Sequence, residues 1–120
     1  MARIIVPIDH PTQPVVAATF GRAEAFWVAL DDDPGEIVAN PAAAEPGGAG
    51  IKAAQRVIDL HPDVLIAPRL GENAARALRA AGIEVRRSRP GPVRDVVDAL
   101  ARGELDELTD VHPGHHGASA

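Results

Sequence analysis

Apolar residues in this chain fall into short continuous runs and into stripes with helical spacing. The runs cover residues 3–8 and 63–67, and polar or turn-forming residues bound both of them. Runs of this length are typical of strands that are buried on both faces of a parallel sheet. Residues 3–8 therefore predict a first strand at the centre of a sheet, and residues 63–67, with a third short strand at residues 83–86, predict further strands parallel to it.

Two further segments suit strands and lie close together in the chain, at residues 25–30 and 36–40. The Asp-Asp-Asp-Pro-Gly sequence between them has the chemistry of a turn, so the pair predicts a hairpin. Phe26 and Trp27 are neighbours in one strand and must point to opposite faces, which predicts that only one is a core residue. Residues 10–19 contain prolines and no periodicity, so they predict a long loop.

Three stripes of apolar residues recur at the spacing of a helix face, and each predicts an amphipathic helix. Their members are Ile51, Ala54, Val57 and Ile58 in the first, Ala74, Ala75, Leu78 and Ala81 in the second, and Val93, Val96, Val97 and Leu100 in the third. Gly82 is placed to end the second helix, and Pro92 to open the third at its first position. Leu105 and Leu108 are expected to extend the packing of the third helix.

The element order βββαβαβα predicts an α/β fold, with parallel strands joined by right-handed crossover helices and a hairpin on one edge. We expect a single three-layer domain over residues 1–110, with a mixed five-stranded sheet and helices on both faces. A chain of 120 residues leaves no room for a second domain. Residues 111–120 are polar and contain histidine, glycine and proline, so they predict a flexible tail.

The composition restricts the chemistry that the chain can support. It has no cysteine, which excludes disulfides and the thiolate ligands that usually hold iron-sulfur clusters and structural zinc. The formal net charge of -5 argues against general nucleic-acid binding. Eight of the eleven arginines nevertheless lie between Arg69 and Arg102, so local positive potential that suits a small anion is expected.

The start of the chain, MARIIVPID, is too short an apolar stretch for a signal peptide. No apolar segment has the length that is needed to span a membrane. These observations predict a cytoplasmic protein without a membrane partner, and we expect a monomer.

Each predicted helix starts just after a loop that contains glycine. The loops are Gly47-Gly48-Ala49-Gly50, Arg69-Leu70-Gly71-Glu72-Asn73 and Arg89-Pro90-Gly91-Pro92. Because loops after parallel strands meet at the carboxyl edge of a sheet, we expect the three helix starts to converge and to favour an anion there. Arg69 and Arg89 would add cationic donors. Turn geometry alone would explain each glycine, and none of the loops is a Walker A motif or a dinucleotide fingerprint.

His10 lies just after the first predicted strand, on the loop over its carboxyl end. Contact with a ligand and simple solvation would explain it equally well. His112, His115 and His116 have a spacing that suits copper, nickel or zinc, although a flexible tail lacks the preorganisation of a structural metal site.

A set of short segments along almost the whole chain carries a family resemblance. They are Thr19-Phe20-Gly21-Arg22-Ala23 before a strand with Phe26, the Asn40-Pro41 step, Gly48-Ala49-Gly50, Ala67-Pro68-Arg69-Leu70-Gly71, Ala81-Gly82-Ile83-Glu84-Val85 and Gly103-Glu104-Leu105. In their order and spacing these segments resemble the dinitrogenase iron-molybdenum cofactor biosynthesis family. The resemblance implies a ribonuclease H-like fold and the binding or carriage of a metal-sulfide cluster, without catalysis.

Within that family the chain is similar to a cysteine-free branch associated with a non-covalently held molybdenum-copper sulfide cluster. The implied cargo is that cluster or an iron-molybdenum-sulfur cluster, received from or passed to an unidentified protein donor or acceptor. A polyanion saturated by its own sulfides needs no protein thiolate, only a cationic, amide-lined and partly apolar pocket.

The resemblance adds Thr19, Phe20, Arg22 and Asn73 to the candidate site. Phe20 and Ile8 are expected to form its apolar walls. A salt bridge would also explain Arg22, and helix capping would explain Asn73. Many relatives have histidine where this chain has Thr19, so that histidine ligand is missing here.

Two other functions compete with cluster binding. A nuclease, which this type of fold also supports, needs several carboxylates around divalent metals, and only Asp9 lies where such a site would form. We therefore expect no enzymatic activity. The alternative is a regulatory or interaction module that senses a metal or small anion and docks on a partner protein through residues 106–120.

Overall fold

In the part of the chain that the structure describes, six strands form one mixed sheet, and three helices pack on its two faces. The computed structural model describes residues 2–30, 35–44 and 47–108. In chain order the elements are β1 (Arg3–Asp9), β2 (Val15–Val16), β3 (Ala25–Leu30), β4 (Glu36–Ala39), α1 (Ala49–Asp59), β5 (Val64–Ala67), α2 (Glu72–Ala80), β6 (Glu84–Arg87) and α3 (Val93–Ala101).

The strand order β4-β3-β1-β5-β6 places the first strand at the centre, as its continuous apolar run predicted. β1 pairs antiparallel with β3 and parallel with β5, β3 pairs antiparallel with β4, and β5 pairs parallel with β6. The predicted mixed sheet with a hairpin on one edge is therefore confirmed.

The prediction of five strands missed the short strand β2, which lies inside the expected loop at residues 10–19. It pairs antiparallel with the end of β1, with Val16 opposite Ile8. Because β3 already occupies the other edge of β1 at Ile8, β2 lies on the same edge as β5, beyond the point where β5 ends. Two residues are too few to show periodicity, so only this pairing defines the strand.

The sheet separates two hydrophobic clusters. One contains the buried residues of α1 and α2, and the other contains those of α3. Phe26 belongs to the first cluster and Trp27 to the second, with 0% and 5% of their surfaces exposed. The prediction that only one of them is a core residue was wrong, because helices cover both faces of this strand.

The helical stripes are confirmed except at their ends. Ile51 is 47% exposed because α1 turns Ala49, Ala53, Ala54 and Val57 toward the sheet instead. Ala81 is also exposed, since it follows the last turn of α2 as its C-cap. Pro92 is the N-cap of α3, so that helix begins one residue later than expected.

Gly82 ends α2 in the left-handed conformation that was predicted, with a φ of 79°. Its N–H donates to the carbonyl oxygen of Arg79 at 2.9 Å, and the N–H of Ile83 donates to that of Leu78 at 3.1 Å. These two bonds form a Schellman motif, which satisfies carbonyl groups that the helix end would leave unpaired.

The segment after α3 covers the outer edge of β6. The N–H of Arg87 donates to the carbonyl oxygen of Asp106 at 2.7 Å, and that of Leu108 donates to Val85 at 3.0 Å. Leu105 joins the α3 cluster, while Leu108 joins the α1 and α2 cluster on the other face. Within the described part of the chain, no helix has the length and apolar character that crossing a membrane requires.

Candidate functional site

A cavity of about 410 Å³ opens between the loop that precedes β3 and the starts of α1 and α2. We call it the α1–α2 cleft. Its lining residues are Ala18, Thr19, Phe20, Gly21, Arg22, Ala49, Gly50, Arg69, Leu70 and Gly71. Three chain segments that are distant in sequence therefore meet at one place, at the carboxyl edge of the sheet.

Asn40 holds the loop that forms one wall of this cleft. Its side chain is buried, and its Nδ2 donates to the carbonyl oxygens of Gly21 at 3.2 Å and Ala23 at 2.8 Å. Its Oδ1 accepts from the N–H of Ala42 at 3.0 Å. One buried amide thus ties the loop to the turn that follows β4 and leaves none of its main hydrogen-bonding groups unpaired.

Gly21 brings the same loop directly against the first turn of α1. A Cβ atom at Gly21 would lie 2.9 Å from the nitrogen of Gly50 and 3.1 Å from the carbonyl carbon of Ala49. No larger residue fits there unless the loop or the start of α1 shifts. The loop consequently covers part of the start of α1.

The start of α2 is more open. Gly71 is its N-cap, and Gly71, Glu72 and Asn73 are all exposed. The first N–H to bond within the helix is that of Ala75, which donates to Gly71 at 3.0 Å. Glycine has no side chain to cap the earlier amides, so these amides and the positive end of the helix dipole favour an anion.

Two arginines stand at the rim of the cleft. Arg22 and Arg69 both line it and are exposed, and none of the described residues that line it is an aspartate or glutamate. The first turn of α1 carries no acidic residue, and that of α2 carries Glu72, which pairs with Arg76 at 3.3 Å. The described residues that line the cleft therefore carry only positive formal charge, in a chain whose net charge is -5.

Phe20 and Leu70 give the cleft an apolar floor. They are 3% and 2% exposed and belong to the cluster that packs under α1 and α2. The ring of Phe20 lies 6.1 Å from that of Phe26, centroid to centroid, so the core holds it in place. Ile8, the other expected wall, is buried in the α3 cluster on the opposite face and does not line the cleft.

The family model of the dinitrogenase iron-molybdenum cofactor matches residues 2–103 of this sequence. This chain belongs to the dinitrogenase iron-molybdenum cofactor family. The family that the sequence motifs resembled is thereby confirmed, and membership makes the chain a small cofactor-associated protein.

Solved structures support both the family and the fold. The apo form of the orange protein from Desulfovibrio gigas is 33% identical over 93% of this chain and 97% of its own, with a TM-score of 0.84. A putative NifB protein from Thermotoga is also 33% identical, over 96% of this chain and 100% of its own, with a TM-score of 0.78.

A putative dinitrogenase from Methanocaldococcus jannaschii shares the fold at 12% identity, with a TM-score of 0.71 over 91% of this chain and 96% of its own. No curated protein matches the chain.

Six of the candidate residues that the sequence suggested line the α1–α2 cleft of this family member. They are Thr19, Phe20, Arg22, Gly50, Arg69 and Gly71. Gly48 and Asn73 lie next to it, as the N-cap of α1 and the second residue of α2, but do not line it. The sequence motifs therefore identified three segments that the fold brings together.

The third helix start does not join the other two, although all three were expected to converge. The N–H of Val93 donates to the carbonyl oxygen of Pro14 at 3.1 Å, and the N–H of Val16 donates to that of Gly91 at 2.9 Å. The segment that contains β2 thus closes over the start of α3. Gly91 serves this contact and lies outside the cleft.

Arg89 does not line the cleft and instead contacts Glu104. Its Nη2 donates to the backbone carbonyl of Glu104 at 3.2 Å, and its Nη1 lies 3.5 Å from the Glu104 carboxylate. Arg102 also binds this carboxylate, with its Nε at 2.9 Å, and this hydrogen bond lowers the pKa of Glu104. The same contact raises the pKa of Arg102.

His10 is exposed and does not line the cleft. Its backbone, in the left-handed region with a φ of 55°, donates an N–H to the Glu24 carboxylate at 3.0 Å. Asp9 accepts from the N–H of Glu24 at 3.1 Å. These contacts fix the turn after β1.

Among the described residues, no three histidine, cysteine, aspartate or glutamate side chains are grouped to hold a metal ion. His112, His115 and His116 lie outside the described residues, as does the whole segment 111–120 that was predicted to be flexible.

Sequence reasoning missed the part that Asn40 plays in the site. Asn40 and Gly21 were recognised only as pieces of family motifs, and neither was given a role. A signal was present, since an asparagine before a proline at the end of a strand invites a hydrogen bond to a neighbouring backbone. The partners of that bond, 17 and 19 residues away, appear only in the fold.

Proposed function

We propose that this chain binds or carries an anionic metal-sulfide cluster, without a covalent bond, in the α1–α2 cleft. The observation that carries the proposal is the composition of the cleft wall. An uncapped helix start, two arginines and an apolar floor surround a cavity of about 410 Å³, and none of the described residues that line it carries a carboxylate. The proposed cargo contains molybdenum with copper or iron.

The start of α2 would supply most of the backbone donors. Its first amides point out of an exposed turn, whereas the start of α1 is partly covered by Gly21. A helix N-terminus stabilises an anion by roughly 0.3–2 kcal/mol, and the smaller values apply to exposed sites. The helix alone would therefore hold a cluster weakly.

Arg22 and Arg69 would supply the remaining attraction. Charge-assisted hydrogen bonds from guanidinium groups are about twice as strong as neutral ones, and sulfide ligands of a polyanion can accept several of them. Phe20 and Leu70 would keep water from one side of the cargo, which strengthens each of these interactions. No residue of the cleft needs to donate a metal ligand.

Reconstitution of the apo protein tests the proposal. The full chain would be mixed anaerobically with tetrathiomolybdate and a copper salt and freed of unbound metal by gel filtration. We expect protein fractions with visible charge-transfer absorption that retain molybdenum and copper in elemental analysis. Colourless fractions without bound metal would contradict the proposal.

Charge variants locate the cargo. Arg69→Gln and Arg22→Gln should each lower retention about tenfold, whereas Glu72→Gln, which removes the carboxylate at the start of α2, should raise it. Arg102→Gln is the matched control, because it removes an exposed arginine at the end of α3. Equal losses in all three arginine variants would indicate binding to the overall charge rather than to the cleft.

The family does not favour the alternative, a sensor of a metal or small anion that docks on a partner protein. That function predicts a colourless protein that binds a partner. We also propose that the chain is a carrier rather than an enzyme, since the cleft offers donors for an anion but no general base among the lining residues that the structure describes.

A further inference from the structure

A second cavity, of about 520 Å³, lies on the face of the sheet that α3 covers. Residues 13–15, Trp27 and residues 92–94 line it, and it shares no lining residue with the α1–α2 cleft. We call it the Trp27 cavity. We propose that it binds a small amphipathic carboxylate, with the apolar part against Trp27 and the carboxylate on Arg94.

The size and the walls of the Trp27 cavity suit a small organic molecule. Ligand sites commonly measure roughly 300–1,000 Å³ and are mostly apolar, with a few polar groups that set orientation. Val15, Trp27 and Val93 supply the apolar surface here. Gln13 and Arg94 are the polar side chains among the lining residues.

The walls of the Trp27 cavity are preformed, because core packing holds them in place. Trp27 and Val93 are 5% and 3% exposed and belong to the α3 cluster, so core packing holds both. A methyl group at Gly35 would overlap the indole ring, which shows that the hairpin backbone packs directly against Trp27. A preformed wall reduces the entropy that binding would cost.

The two loop segments that line the cavity are joined to each other. Val15 and Pro92 form an isolated antiparallel bridge, and the N–H of Val93 donates to the carbonyl oxygen of Pro14 at 3.1 Å. Pro14 and Pro92 each have a fixed φ and no N–H. The backbone amide of Val93 is therefore already used, and neither proline offers one, so the side chain of Arg94 is the charged donor left for a ligand.

The positive charge of Arg94 is the reason to expect a ligand with a negative charge. It is exposed on the first turn of α3, and its guanidinium forms no hydrogen bond or ion pair with residues 2–30, 35–44 or 47–108. The nearest acids on its own helix are Asp95 and Asp98, and neither lines the cavity. A guanidinium beside a tryptophan wall complements a carboxylate that carries an apolar group.

Titration with octanoate tests this proposal, with octan-1-ol as the neutral match of similar length. Binding would be followed by the backbone amide signals of Val15 and Arg94 and by the indole signal of Trp27, the only tryptophan of the chain. We expect saturable shifts confined to this region, with a Kd of about 1 mM for a ligand of this size.

Variants of exposed arginines separate specific recognition from general attraction. Arg94→Gln should raise the Kd for octanoate about tenfold and leave the Kd for octan-1-ol unchanged. Arg76→Gln, which removes an exposed arginine of α2, should change neither Kd.

Equal affinity for octanoate and octan-1-ol would overturn the proposal, as would the absence of saturable shifts. Shifts at residues 18–22 and 69–71 would also overturn it, because they would place the carboxylate in the α1–α2 cleft. None of these outcomes depends on whether the cleft carries a metal-sulfide cluster.

Discussion

Gly21 is the point where the wall of the α1–α2 cleft comes closest to helix α1, and Gly21→Ala tests how that wall is built. The new methyl carbon would lie 2.9 Å from the nitrogen of Gly50 and 3.1 Å from its Cα. Both are backbone atoms of a helix, so they cannot rotate away as a flexible side chain would. Either the helix start or the loop must move.

Overpacking of this kind costs typically about 1–3 kcal/mol. The loop at residues 18–22 is also tied to Asn40, so a displacement should strain the hydrogen bonds from Asn40 to the loop carbonyls. We therefore expect a loss of about 2 kcal/mol in the free energy of unfolding and weaker retention of the cargo in the cleft.

Urea denaturation measures this loss. Trp27 is buried on the opposite face of the sheet, so its fluorescence reports global unfolding rather than the local change at the cleft. Gly47→Ala is the control, because a Cβ atom there meets nothing within 4 Å. It should shift the free energy of unfolding by less than about 0.5 kcal/mol.

A Gly21→Ala variant that is as stable as Gly47→Ala and retains the cargo equally well would contradict this prediction. That result would mean that the loop and the helix start are not in close contact. A large loss of stability with an unchanged m-value is the expected pattern, since the unfolded chain should be the same.

Three further predictions concern other parts of the molecule. Asn40→Ala should lower the free energy of unfolding by about 1–3 kcal/mol in urea denaturation, because it leaves buried carbonyl groups without their donor. Glu104→Gln should reduce stability more at neutral pH than at acidic pH. Arg102 lowers the pKa of the Glu104 carboxyl, so its stabilisation is present above the pKa of the unfolded chain and is lost as the pH falls through the folded value. Equal urea midpoints for Glu104→Gln and the natural chain at both pH values would contradict this. Arg69→Ala should weaken cargo retention more than removal of residues 111–120 does, and elemental analysis of both variants checks the ranking.

Most strands and helices of this fold can be predicted from the local sequence pattern. The continuous apolar run of β1 requires burial on both faces, and this requirement is met by a central position in the sheet. Gly82 was recognisable as a helix end because only glycine adopts its left-handed conformation without strain. The motifs around Phe20, Arg69 and Gly71 also indicated three segments that the fold brings to one cleft.

Tertiary structure decided which side chains share a face and which loops share a space. Trp27 is a core residue because α3 lies over it, and strand alternation alone says nothing about what covers each face. Ile51 points outward because the small residues of α1 form its buried side. In both cases the local pattern predicts which way the side chain points, and packing determines whether that side is covered or faces solvent.

The start of α3 also shows what the local sequence and the tertiary structure each determine. Its sequence, with Arg89 and Gly91, resembles the other two starts, yet the two residues of β2 close over it and Glu104 binds the arginine. The sequence by itself determined which segments form the helices and the longer strands, because that choice depends on neighbouring residues. Which helix starts meet at the cleft depends on contacts between residues that are distant in sequence, such as Gly21 with Gly50 and Val16 with Gly91, and such contacts exist only in the folded chain.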